Sequence, residues 1–298
     1  MVSVLPIYFV LLLGFFAQKR FSFDIRSLSG VAIYLFYPFL AFRVFYENPL
    51  KAEHGYLALF AVLLCLVMIL FVHLVSFFGG YSKSQRSAGV LAGVFMNAGN
   101  YGAPVILFAF GETAFSYAVV LMVIQSLLMN SVGLYYAAVG AKEGMNTKEA
   151  IRKVLTMPIL YGCLLGIIVQ KSGWKIPEIA GSTVSFLADA TIPLILLTLG
   201  MQLSTITFSS ISKKDLVFTA GTKMIVSPII GTVMALLLPV DPLIQTILII
   251  TSFMPTAANT TLFALQFNTE PDLVAASTLF TTALSTVTLP ILLLILGN

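Results

Sequence analysis

Charge is the first thing this chain lacks. Of its 298 residues, 16 are Lys or Arg and 12 are Asp or Glu, 9% in all, where a soluble globular domain carries about 25%. Mean hydropathy is +1.01. A water-soluble fold, a disordered chain and a nucleic-acid-binding surface each need many charges, so all three are excluded. Cysteine is nearly as scarce. Cys65 and Cys163 both lie in apolar runs and form no disulfide framework. No HExxH, P-loop, GxSxG or metal-ligand cluster occurs. Hydrolysis inside the membrane and ATP-driven pumping therefore find no support, and neither an enzyme nor a bound cofactor is expected.

What the chain has instead is long apolar runs. About 20 such residues cross the roughly 30 Å of bilayer hydrocarbon as a helix. That measure gives ten spans, at 3–18, 29–46, 55–78, 88–109, 114–139, 154–170, 179–202, 216–238, 243–266 and 273–296. The reading is an all-α integral membrane protein. Met1–Pro6 carries no charge, so it lacks the basic start of a signal peptide and reads as the opening of a retained helix. Basic residues mark the cytoplasmic loops. With the N-terminus outside, the inner loops hold Lys19, Arg20, Arg26, Lys83, Arg86, Lys142, Lys148, Arg152, Lys153, Lys213 and Lys214. The outer loops hold only Arg43, Lys51, Lys171 and Lys175. Both termini are expected outside, in a multi-pass protein of the cell membrane.

A repeat lies inside the hydropathy. Pro6, Gly14, Gln18 and Lys19 of the first span recur 152 positions later as Pro158, Gly166, Gln170 and Lys171 of the sixth. Tyr37-Pro38 in the second span is answered by Ile192-Pro193 in the seventh. The fourth carries Asn97-Ala98-Gly99-Asn100-Tyr101-Gly102-Ala103-Pro104, and the ninth carries Pro255-Thr256-Ala257-Ala258-Asn259-Thr260-Thr261. These coincidences divide the chain into halves at 1–140 and 150–298, joined by a short charged linker. Five spans is an odd number, so the second half enters the membrane from the opposite side. Such an inverted repeat is the plan of many secondary transporters.

Spans four and nine cannot run as plain helices. Glycine weakens a helix interior, and proline removes a donor and clashes with the preceding turn. Breaks at matching places in two halves point to a midplane substrate site. An unwound stretch exposes backbone amides, and the half-helix beyond it presents a positive dipole end. Asn97, Asn100 and Asn259 add amides, while Tyr101, Thr260 and Thr261 add hydroxyls; Pro104 and Pro255 make the breaks. Gln125 on the fifth span is placed to reach the same site. The expected ligand is a small organic anion.

The Asn97–Pro104 stretch, its Asn259-Thr260-Thr261 counterpart and the five-plus-five plan resemble the auxin efflux carrier family over essentially the whole chain. That family includes plant PIN proteins and bacterial carriers of malate and malonate. The resemblance implies a fold like that of bile-acid sodium symporters and NhaA-type antiporters, with spans four and nine crossing at their broken centres. It also implies a scaffold of spans 1, 2, 6 and 7. Spans 3–5 and 8–10 would form a transport domain that slides elevator-fashion, in a homodimer. The long central cytoplasmic loop of plant PIN proteins is missing here. The chain thus resembles a bacterial or archaeal member, with auxin-like and dicarboxylic acids both open as substrates.

Ionisable residues inside spans are functional candidates, because burying them costs several kcal/mol. Lys223 either neutralises an anion, or replaces a cation, or snorkels to the interface. Asp189 is either a coupling carboxylate or a cap for a half-helix beyond Pro193. Asn130 reads as an interhelical hydrogen-bond partner, and His54 and His73 as packed or solvated side chains. A sodium- or proton-coupled carrier on the same fold is the alternative function, and it predicts carboxylates at the crossing. A ligand sensor that does not transport is a third.

Overall fold

A computed structural model describes residues 5–141, 155–205 and 212–296. The linker lysines and arginine Lys142, Lys148, Arg152 and Lys153 lie outside them. Among the described residues the regular elements are helices, apart from a single two-residue bridge. In chain order they are α1 (Leu5–Phe21), α2 (Ile25–Glu47), α3 (Ala52–Gly79), α4 (Lys83–Gly93), α5 (Ala98–Gly140), α6 (Pro158–Ser172), α7 (Glu178–Ser204), α8 (Lys213–Leu237), α9 (Pro242–Ser252), α10 (Ala258–Phe267) and α11 (Pro271–Leu296). Six of them (α2, α3, α5, α7, α8 and α11) are long and apolar enough to cross a bilayer. The other five are shorter: α1 has 17 residues, α4 has 11, α6 has 15, α9 has 11 and α10 has 10. Expected spans four and nine therefore appear as interrupted pieces.

Local chemistry sets the ends. Asp24 accepts from the amides of Arg26 and Ser27 and from the Ser27 hydroxyl, at 2.6 Å, and so caps α2. The same bonds hold its carboxyl below the usual carboxylate range. Ser82 and Gln85 close a reciprocal capping box on α4. Asp241 accepts from the Leu243 amide at 2.8 Å, with Pro242 in the first turn of α9. Within α5, Gly111 turns the chain at φ 79°, a left-handed value that a side chain resists.

Among the described residues three helices contain four widened π turns, two of them in α5, and three of the four turns share a cause. Ala32–Phe36 precedes Tyr37-Pro38, Ala98–Gly102 precedes Ala103-Pro104, and Thr222–Val226 precedes Ser227-Pro228. The Tyr37 amide reaches back five residues to the Ala32 carbonyl, and the Ser227 amide does the same to Thr222. One extra residue per turn moves the carbonyl that proline would strike and uses backbone groups that proline leaves unpaired. The fourth, Met129–Gly133, has no proline beyond it. Pro193 lies within α7, which continues through it from Glu178 to Ser204. The half-helix that Asp189 was expected to cap is therefore not there.

The chain divides into two compact units. The first holds residues 1–55, 99–123 and 155–205, and so gathers α1, α2, α6 and α7 with the segment 99–123. In it, α1 packs on α7 and α2 on α6, backbone against backbone. A side chain on Gly14 would strike the Leu197 carbonyl, and one on Gly200 would strike that of Leu11. Gly162 and Gly166 meet the carbonyls of Pro38 and Phe42 in the same way. Small residues at such crossings let helices approach without a hydrophobic driving force. The second unit holds 56–98, 124–154 and 206–298. Its α11 presents a buried stripe of Ser277, Thr278, Thr281, Thr282 and Ser285.

Candidate functional site

The second unit contains both interruptions, and they are stitched to each other. The Asn97 amide donates to the Pro255 carbonyl at 2.8 Å, and the Ala257 amide to the Phe95 carbonyl at 3.1 Å. Met96 and Thr256 thereby pair as an antiparallel bridge. In lipid, backbone polar groups must find partners within the protein. Here each break supplies them to the other. Pro255 suits this place because it offers only a carbonyl.

The end of α4 is accounted for with equal economy. The Thr256 hydroxyl donates to the Ala92 carbonyl at 2.6 Å, and the Lys223 ammonium to the Val94 carbonyl at 3.4 Å. The Thr256 amide in turn donates to the Thr281 hydroxyl at 3.2 Å. Lys223 has no exposed surface. It does not snorkel; it stands against the negative end of the α4 dipole, where a cation is favoured. Two further hydroxyl pairs reach α11, Thr219 with Ser277 at 2.6 Å and Thr261 with Thr278 at 3.2 Å.

The expected site residues fall on both sides of these breaks. Asn97 is buried in the first break, and Gln125 is buried on α5. The unwinding expected over Asn97–Pro104 is shorter and lies earlier: Phe95–Asn97 is extended, and the backbone coils again from Ala98 as a π turn. Asn259 and Thr260 occupy the first turn of α10, whose N-cap, Ala257, contributes no side-chain bond. Thr260 is fully buried, with its hydroxyl on the Ala257 carbonyl at 2.7 Å. Asn259 and Thr261 are half-buried. The first unit carries Asn100, half-buried, and Tyr101 and Pro104, both buried. Tyr37, also buried, donates its phenol hydrogen to Asn100 Oδ1. Sequence reading noticed Tyr37 only as the partner of Pro38.

Other candidates make local structural contacts. Asp189 forms an ion pair with Arg43 at 2.5 Å, and its side chain is 69% exposed. That joins α7 to α2 in the first unit. Asn130 donates to the Ser126 carbonyl at 2.8 Å, one turn back on its own helix and not across to a neighbour. His73 bonds the Ile69 carbonyl at 2.9 Å and meets the Tyr136 ring edge-on, and His54 packs beside Tyr117.

Comparison with known proteins gives this arrangement its context. The family model described as "Membrane transport protein" matches residues 1–293. An uncharacterized transporter of Methanothermobacter thermautotrophicus is 26% identical over 296 residues, covering 98% of this chain and 94% of that protein. One from Methanocaldococcus jannaschii is also 26% identical, over 301 residues, covering 95% and 94%. Auxin efflux carrier component 8 of Arabidopsis thaliana is 21% identical over 338 residues, covering 93% and 92%. The match runs nearly from end to end, and the chain belongs to the membrane transport protein family that includes the auxin efflux carriers.

Proposed function

We propose that this transporter is a secondary carrier of small organic anions, with substrate held by the polar groups at the two helix breaks. One observation carries the reading. The stitched breaks offer amides, hydroxyls, an uncapped helix start and one buried ammonium, while neither the run Val94–Pro104 nor Phe253–Thr261 contains a carboxylate. Donors without acids suit an anion and leave a metal cation poorly served. Lys223 acts as fixed counter-charge through the α4 end. Asn97, Gln125, Asn259, Thr260 and Thr261 are the proposed contacts in the second unit, beside the turn-forming Pro255. In the first unit, Asn100 and Tyr101, with Pro104, form a polar group of their own. Asp189 keeps the first unit together and takes no part in coupling.

Alternating access of the elevator kind is the proposed mechanism, in a homodimer with ten spans and both termini outside. Two findings support it: the division into two compact units, and the paired glycine crossings of α1 with α7 and of α6 with α2, which an inverted repeat would relate to each other. Membrane potential alone can drive an anion out, since one charge crossing 100 mV gains about 2.3 kcal/mol. One relative is named an auxin efflux carrier component, so auxin-like acids are worth trying beside dicarboxylates. Purified protein in liposomes is expected to accumulate labelled malate, malonate or indole-3-acetate, with a rate that follows the imposed potential and not a sodium gradient. Asn259→Ala and Asn100→Ala are each expected to cut uptake at least about tenfold. Uptake unchanged in both variants would sink the site assignment.

A further inference from the structure

We infer that Tyr8 and Tyr37 form a latch that holds the segment Gly99–Val123 to α1 and α2, and that its release gates the sliding step. The inference rests on the elevator mechanism proposed above and not on which anion is carried.

The latch joins residues that lie far apart in the sequence. Within the first unit, Tyr37 on α2 donates its phenol hydrogen to Asn100 Oδ1. The next residue, Tyr101, has its phenol paired with that of Tyr8 on α1. Two neighbouring side chains of one turn are thus held by two different helices. Further along the segment, Tyr117 donates to Glu53 Oε2 at 3.5 Å and packs beside His54. The path of the chain gives these contacts their leverage. Ala98 belongs to the second unit and Gly99 to the first, so the boundary falls inside the π turn Ala98–Gly102, directly before the held pair. The chain returns to the second unit at Ile124. Because the segment continues into that unit at both ends, any displacement of the unit past α1 and α2 pulls on it.

Burial and neutrality suit the pair to being made and broken. Tyr37 is 6% exposed and Tyr101 1%, so water does not replace either contact while the segment is seated. Gly99 leaves room for the seat. A Cβ there would stand 3.0 Å from the Tyr37 hydroxyl and 3.1 Å from Met122 Cγ. Both contacts of the pair join uncharged groups, so parting them strands no charge in the membrane. A neutral hydrogen bond shifts an equilibrium only about fivefold, whereas one to a charged group shifts it about tenfold or more. The charged bond of the unit, Arg43 with Asp189, joins α2 to α7 within the proposed scaffold, where no parting is required.

The test measures the distance between the units and uses no substrate. Ile179 in the first unit and Leu237 in the second are both exposed, and Cys65 and Cys163 are buried. Ile179→Cys and Leu237→Cys therefore take spin labels selectively, and pulsed electron resonance in lipid nanodiscs reads the distance between them. Wild-type protein is expected to show one dominant distance. Tyr8→Phe and Tyr37→Phe keep the rings and remove the hydroxyls. Each is expected to raise the ratio of a second distance to the first about fivefold, and the two together about 25-fold. Tyr34→Phe, an exposed change three residues before Tyr37, leaves the distribution as it was. In an Asn100→Ala background, Tyr37→Phe adds no further shift. An unchanged distribution in the double variant, folded by its thermal transition, would overturn the latch; should that variant not fold, the single variants decide by the same criterion. A Tyr37→Phe effect that persists without Asn100 would overturn it as well. Shifted distances in a protein that takes up none of the acids support the latch and sink the anion reading instead.

Discussion

Lys223 shows how a single side chain can be costly and retained. A lysine at the centre of a membrane helix costs about 2.5–3.5 kcal/mol on insertion scales, and one hydrogen bond to a carbonyl recovers about 1.5–3 kcal/mol of that. Its bond to Val94 therefore roughly offsets the burial without making it favourable. Methionine has similar length and no charge to bury. Lys223→Met is expected to hold or raise the thermal midpoint in detergent, by an amount on the order of 1 kcal/mol, while transport falls at least about tenfold. Normal transport in a stable Lys223→Met protein would remove Lys223 from the mechanism. The lysine itself was legible, because a charge inside an apolar run stands out. Its partner was not, since a backbone carbonyl 129 positions away leaves no mark in a sequence. Tyr37 was obscured for a related reason: a tyrosine beside a proline in an apolar span looks like packing.

At the scale of elements, the breaks were legible in kind and displaced in place. Glycine, asparagine and proline between 97 and 104 signal a weak helix, yet the extended stretch begins at Phe95. The reason is pairing. Phe95–Asn97 is extended because the segment around Thr256 is there to receive its hydrogen bonds, and the glycines that follow are absorbed into a π turn. Thr256 is the residue on which this depends, through its hydroxyl to Ala92 and its amide to Thr281. Thr256→Val keeps the shape but strands the Ala92 carbonyl. The expected cost is about 1–3 kcal/mol in unfolding free energy, read as a lower thermal midpoint, with Thr256→Ser close to wild type. Equal stability for valine and serine would show that the hydroxyl is not holding α4. Where proline and a π turn occur together, sequence marks the proline and leaves the wide turn to the structure.

For the whole molecule, the offset of 152 residues that links Gly14 with Gly166 meets a physical counterpart. Gly14 touches the Leu197 carbonyl on α7, and Gly166 touches the Phe42 carbonyl on α2. Alanine at either place forces two helices apart, a kind of overpacking that costs about 1–3 kcal/mol. Gly14→Ala and Gly166→Ala are expected to lower the thermal midpoint by similar amounts, as the proposed inverted repeat requires. A large loss at one glycine and none at the other would count against the inverted repeat. The count of ten spans rests on run length, and a span made of pieces such as α9 and α10, or two expected spans that share α5 and its turn at Gly111, does not stand out as one long helix. The bridge between Met96 and Thr256 has one more consequence, a mechanical one. Its two hydrogen bonds run in opposite directions, one donated by each strand. Separating the two segments therefore breaks both bonds together, so the bridge ties the end of α4 to the segment between α9 and α10.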